Sequence, residues 1–198
     1  PDGRIVSAAW DRTTRFWSKD ADGHWTCEIA STEMGRSECL QALPDGRIVS
    51  GTADGIQIWT KDADGTWSSE ELRGHHLAVT CVQVLRDGRI VSGSFDQSIR
   101  IWTRGVDGQW SSEALYGHRG IVRCLQALPD GRIVSGSNDK SIRIWTPDAD
   151  GHWRDEVLIS LSDSVDYLQV LPDGRIFSGS EFGTIRILDG DEIVGGKS

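Results

Sequence analysis

Serine, histidine and aspartate recur in this chain at one fixed spacing. His75, Ser92 and Asp96 are followed 43 residues later by His118, Ser135 and Asp139. These are the residue types of a hydrolytic triad, in which a base activates a hydroxyl and a carboxylate orients the base. A nucleophile also needs a cleft and an oxyanion site. The same set in neighbouring repeats reads as repeated buried structure, so no catalytic residue is expected and the chain reads as a non-enzyme. Paired carboxylates form a second group: Asp20 with Asp22, Asp62 with Asp64, and Asp148 with Asp150, each in a "DADG" run. Calcium favours such oxygen-rich loops but takes six to eight ligands, and no glutamate follows at the spacing of a calcium loop. The third unit breaks the pair as "GVDG" (Gly105, Asp107). A solvated hairpin turn is expected there, with no metal and no cofactor. His24, His76 and His152 stand at no usable spacing from an acid or a cysteine.

What positions these groups is a repeat. "PDGR" and its variant "RDGR" place arginine at 4, 47, 89, 132 and 175, in steps of 43, 42, 43 and 43 residues. A fixed period of this length is one supersecondary unit copied in tandem. Within residues 121–158, "IVRCLQAL", "RIVSGSND", "SIRIWT" and "HWRDEVL" are four short runs rich in β-branched, aliphatic and tryptophan residues, each ended by turn formers. "PDG" supplies proline at a turn's second position and glycine where positive φ is needed. No window shows a capped 3.6-residue apolar period, so helices are not expected. Each unit reads as a four-stranded antiparallel meander, strands a to d. In "SIRIWT", Ile142 and Ile144 take one face and Trp145 the other, so both faces want burial. Sheets stacked face to face around an axis meet that demand, which predicts an all-β propeller of about five visible blades. Their approximate bounds are 1–30, 31–73, 74–116, 117–159 and 160–198, the first blade lacking strand a.

Bulk properties narrow the partners. A net charge of −9 argues against nucleic acid, whose phosphates need a basic surface. No stretch is apolar for long enough to cross a bilayer, so no membrane role is expected. Cys27, Cys39, Cys81 and Cys124 show no metal-ligand spacing, which favours free thiols in a reducing compartment and a cytoplasmic location.

These residues resemble the WD-repeat propeller family, most specifically in units three and four. There "GH" precedes strand a, "SGSxDxSIRIW" fills strands b and c, and Trp102 or Trp145 ends strand c. In that family a His, a strand-b Ser, a turn Asp and a strand-c Trp form a hydrogen-bonded tetrad. The resemblance implies His75, Ser92, Asp96 and Trp102 in one blade, and His118, Ser135, Asp139 and Trp145 in the next. The aspartate of the family's "WD" pair is replaced by Ser18, Thr60, Thr103 and Thr146. Unit two keeps Ser50, Asp54 and Trp59 but has Glu33 at the His position. Unit five has Leu161, Phe182 and Leu188 at the His, Asp and Trp positions and keeps only Ser178. Unit one keeps Ser7, Asp11 and Trp17. Strand a is innermost in the family, which places Cys39, Cys81, Cys124 and Tyr167 near the axis, with Gln41, Gln83, Gln126 and Gln169 two residues on. Packed thiols and hydrogen-bonded amides are the expectation, ahead of a channel-lining role.

The resemblance also implies a working face formed by b–c turns and d–a loops. The variable turn position reads Trp10, Ala53, Phe95, Asn138 and Glu181, and the d–a loops add Arg73, His76, Tyr116 and Arg119. Exposed aromatics with arginines are the types that anchor interfaces. The expected function is a non-enzymatic scaffold for a protein or peptide partner, with Trp10, Arg73, His76, Phe95, Tyr116, Arg119 and Asn138 as contacts. The alternative is a carbohydrate-binding propeller, since Trp25, Trp67, Trp110 and Trp153 recur within "DGxW". Strand counting further predicts the C-terminal part of a larger ring, with open blade edges suited to self-association.

Overall fold

A computed structural model describes residues 5–8, 13–31, 39–43 and 45–188. Among them every regular element is a strand. The first sheet runs β1 (Ile5–Ala8), β2 (Thr14–Lys19), β3 (Trp25–Ser31), and the second β4 (Leu40–Ala42), β5 (Ile48–Gly51), β6 (Gly55–Lys61), β7 (Trp67–Arg73). The third contains β8 (Val79–Val84), β9 (Ile90–Ser94), β10 (Ile99–Arg104) and β11 (Trp110–Leu115). The fourth is β12 (Val122–Ala127), β13 (Ile133–Ser137), β14 (Ser141–Pro147) and β15 (Trp153–Ser160). The fifth is β16 (Tyr167–Val170), β17 (Ile176–Gly179) and β18 (Ile185–Leu188). Each sheet follows chain order and pairs antiparallel, as the four-run reading of the repeat requires.

The turn chemistry explains the repeat's most constant letters. Between β12 and β13 the Leu128 N–H donates to Arg132 O at 2.8 Å and the Gly131 N–H to Leu128 O at 3.1 Å. Gly131 sits at φ 91°, a conformation only glycine takes without steric cost. Asp130 clamps this turn: its Oδ1 accepts the Arg132 N–H at 3.1 Å and its Oδ2 accepts Arg132 Nε at 2.7 Å. The clamp recurs as Asp45–Arg47, Asp87–Arg89 and Asp173–Arg175. Aspartate, glycine and arginine thus repeat at the positions that build one hairpin end.

The chain divides into two compact units, Pro1–Val82 and Gln83–Ser198, with the division inside β8. In the first, Ile48 and Trp59 are packed by Val6, Phe16, Leu40 and Trp67, so residues from two successive sheets share one apolar layer. In the second, Val134, Ile142 and Ile144 of the fourth sheet pack with Val165, Leu168, Ile176 and Leu188 of the fifth. Fully burying one such aliphatic side chain is worth about 1.5–3 kcal/mol, so the layer between sheets carries the fold. Trp145 is buried on the opposite face of β14, which answers the two-sided pattern of "SIRIWT". Within the second unit β12, strand a of the fourth sheet, lies against β9, strand b of the third, and against β16, strand a of the fifth.

Candidate functional site

The fourth sheet supports its loops through a buried polar chain. Trp145 Nε1 donates to Ser135 Oγ at 2.8 Å, and Ser135 Oγ lies 2.7 Å from His118 Nε2. Indole N–H only donates and the Asp139 carboxylate only accepts, so the neutral imidazole carries its proton on Nδ1 and Nε2 accepts from the Ser135 hydroxyl. Nδ1 in turn lies 2.9 Å from Asp139 Oδ2. Asp139 also accepts the Arg119 N–H at 2.8 Å, the Ser141 N–H at 2.9 Å and Ser141 Oγ at 2.6 Å. The carboxylate thereby ties the d–a loop to the b–c turn. Burial alone would raise its pKa, but donors from Ser141, Arg119 and His118 hold it well below the usual carboxylate range. Burial pushes His118 below its ordinary 6.5 despite Asp139, which keeps the ring neutral at physiological pH.

Ser135, His118 and Asp139 have the connectivity of a hydrolytic triad. However, Ser135 is 0% exposed and its hydroxyl is spent between Trp145 and His118, so no carbonyl can reach it. Ser141, and Ser137, whose Oγ accepts the Asp139 N–H at 3.0 Å, were not singled out from sequence. Their recurrence as Ser98 and Ser94 was the available signal, and the same bonds to Asp96 occur there, at 2.6 and 3.0 Å.

The serine–tryptophan leg recurs at Ser7–Trp17 (2.8 Å), Ser50–Trp59 (3.2 Å) and Ser92–Trp102 (2.8 Å). His75 is buried and belongs to the first unit, whereas Ser92, Asp96 and Trp102 belong to the second. In the fifth sheet Ser178 is 2% exposed with neither His nor Trp beside it in the repeat register, and it lines a cavity of about 10 Å³. There Asp163 Oδ2 accepts Thr184 Oγ1 at 2.7 Å and Asp166 Oδ2 accepts the Glu181 N–H at 2.9 Å.

Above the network in the second unit lies a cluster drawn from three sheets. Arg123, at the start of β12, donates from Nε to Asn138 Oδ1 at 2.9 Å and lies 3.7 Å from Asp166 Oδ1. Its guanidinium carbon sits 5.6 Å from the Phe95 ring centroid. Phe95 and Asn138 were expected on this face, whereas Arg123 and Asp166 were not. The missed signal is the position before the strand-a cysteine, which reads Thr80, Arg123 and then Asp166 before Tyr167 while the valine preceding it (Val79, Val122, Val165) stays constant. Tyr116 is 71% exposed and Arg119 is exposed in the same d–a loop. In the first unit Arg73 and His76 are exposed, and Arg73 is occupied by Glu71 at 3.1 Å and Asp54 at 3.6 Å. Trp10, Asp11 and Glu33 lie outside the described residues.

One expectation is corrected. His24 does meet acids, as the D-x-D-G-H turn folds back and brings Asp20, Asp22 and His24 ligand atoms within 4.8 Å of one another. His152 does the same with Asp148 and Asp150. Asp20 Oδ1 and Asp148 Oδ1 each accept two backbone N–H groups of the turn, so hairpin closure already accounts for one aspartate in each triplet. Two of the strand-a cysteines reach the neighbouring repeat, Cys39 Sγ donating to Val79 O at 3.8 Å and Cys124 Sγ to Val165 O at 3.6 Å, whereas Cys27 is exposed. The strand-d tryptophans are partly covered as well. Trp67 stacks on Phe16 at 4.1 Å, and Arg89 lies over Trp153 at 5.6 Å.

The family model for the WD domain, G-beta repeat, matches residues 67–103 and 110–146. No curated protein sequence matches the chain significantly. Among solved structures, the chain is similar to the WD40 β-propeller domain of Doa1, with 25% identity and a TM-score of 0.75 over 96% of this chain and 62% of that one. The RRP9 WD40 repeats match with 23% identity and a TM-score of 0.77 over 96% and 57%. U3-55K matches with 22% identity and a TM-score of 0.77 over 96% and 58%. The chain thus spans about three fifths of the length of each of these structures. Two segments of the chain thus match the WD repeat, and its antiparallel sheets share the fold of these WD40 β-propeller domains.

Proposed function

We propose that the chain is a protein-interaction scaffold, with no chemistry of its own, that holds a protein or peptide partner on the face built from b–c turns and d–a loops. The observation that carries this reading is the Phe95–Arg123–Asn138–Asp166 cluster, which joins three successive sheets at that face. Backbone there is braced by partly buried carboxylates, and the side chains above it are aromatic and charged. That combination suits an interface anchor, since a rigid aromatic–arginine pair loses little entropy on binding. Occupied stacking faces on Trp67 and Trp153 weaken the carbohydrate reading, although Trp25 stays 49% exposed beneath Lys19.

Proteome pull-downs set beside a glycan array separate the two readings. Phe95→Ala and Tyr116→Ala should each deplete captured proteins while thermal stability stays nearly unchanged. Asp64→Ala, in a c–d turn, should do neither. Equal depletion by Asp64→Ala, or glycan binding lost with Trp25→Ala, would overturn the scaffold reading in this form.

A further inference from the structure

Arg123 is held from three sides but not used up. Its Nε is taken by Asn138 at 2.9 Å, its face by the Phe95 ring at 5.6 Å, and Asp166 lies 3.7 Å from Nε. The two terminal nitrogens donate to no acceptor among the described residues, and the side chain is 35% exposed. A guanidinium in this state is a planar fork whose free edge presents parallel N–H donors. Forks of this kind match a carboxylate bidentately, and fixing the rotamer beforehand removes most of the ordering cost.

We propose, resting on the face assignment above, that Arg123 is the specificity anchor for a partner peptide that offers one carboxylate beside an apolar side chain. The carboxylate meets the free edge of Arg123, and the apolar group lies along Phe95 and Tyr116. The surroundings select against heavier charge. Asp166 stands next to the guanidinium, and Glu181 is exposed where its N–H meets Asp166, so a doubly charged phosphate would face two carboxylates where a single carboxylate faces less repulsion. Asn138 and Phe95 act as positioning residues, since they orient the fork without meeting the partner's charge themselves.

Selection from a phage-displayed random peptide library on the whole chain tests this. Enriched peptides should carry Asp or Glu next to an aliphatic or aromatic residue. Measured by fluorescence anisotropy, they should bind Arg123→Gln about tenfold or more weakly, the loss set by a charge-assisted pair. Arg123→Lys keeps the charge but not the fork and should recover little, whereas Asn138→Ala should fall between. Circular dichroism melts of each variant separate lost binding from lost folding. Peptides without an acid that still lose affinity on Phe95→Ala and Tyr116→Ala would overturn the carboxylate anchor and leave the face standing. Peptides indifferent to all these substitutions, or no enrichment, would overturn both. Tighter binding of a phosphoserine version than of its Asp parent would also overturn the anchor as stated.

Discussion

The fourth and fifth sheets solve the same problem in opposite directions. In the fourth, Asp139 of the b–c turn reaches into the d–a loop and takes the Arg119 N–H and the His118 ring. In the fifth, Asp163 and Asp166 of the d–a loop reach into the b–c turn and take Thr184 Oγ1 and the Glu181 N–H. Phe182 stands in the register of Asp139 and is turned outward, 79% exposed. The loop-to-turn tie survives the loss of the tetrad aspartate because the carboxylate has changed sides. What does not survive is the inner leg, since Leu161 and Leu188 offer Ser178 nothing to bond. The contrast separates two jobs within one motif: the carboxylate shapes the loop face, and the Trp–Ser–His leg fixes the sheet beneath it.

Substitutions at one repeat position should show the largest difference. A Cβ on Gly136 would lie 2.4 Å from Val165 Cγ1 and 2.7 Å from Cys124 Sγ, whereas one on Gly179 would meet nothing nearer than Tyr167 Cβ at 3.9 Å. Gly136→Ala should cost about 3 kcal/mol by overpacking, and Gly179→Ala should be nearly neutral, both read from denaturant midpoints. Equal costs would show that the two sheets are packed alike. Next in size is His118→Leu, which gives the fourth sheet the residue of the fifth. It should cost roughly 1–3 kcal/mol because Asp139 and Ser135 lose a buried partner.

A smaller effect separates the sheets by pH. Asp139 is held below 3.8 and His118 below 6.5 in the folded chain, so the unfolded chain takes up protons first at each group as pH falls. Stability from His118 is therefore full above about pH 6.5 and declines below it, and that from Asp139 is lost only in stronger acid. His118→Leu should abolish the first decline in a pH series of melts and shrink the acid decline, which Ser141 and Arg119 still sustain. An unchanged slope near pH 6 would mean that His118 titrates normally in the fold.

Much of this was legible in the sequence, for identifiable reasons. The four-strand unit followed from "PDGR" and "DADG", whose turn geometry is local and needs no knowledge of neighbours. The all-β fold and the five sheets of chain-ordered strands followed from the period. The set His118, Ser135, Asp139 and Trp145 was readable because it recurs 43 residues from its counterpart. Arg123 was not, because its significance lies in Phe95 and Asp166, residues from the sheets on either side. His24 and His152 were misjudged for the converse reason: a five-residue turn brings positions four apart into contact, which spacing rules for strands do not anticipate. The swap of Asp163 for Asp139 was equally hidden, since a tetrad template registers only the loss.

Hydrogen exchange at β13 and β17 tests most directly whether the Trp–Ser–His leg, rather than the sheet alone, fixes a blade. Both are inner strands, each paired on two sides, so edge fraying does not distinguish them. The amides of Ile133–Ser137 should exchange more slowly than those of Ile176–Gly179 in the unaltered chain. In His118→Leu, protection of β13 should fall toward that of β17 while β17 stays unchanged. Equal protection of the two strands at the outset, or full protection of β13 without His118, would contradict the account.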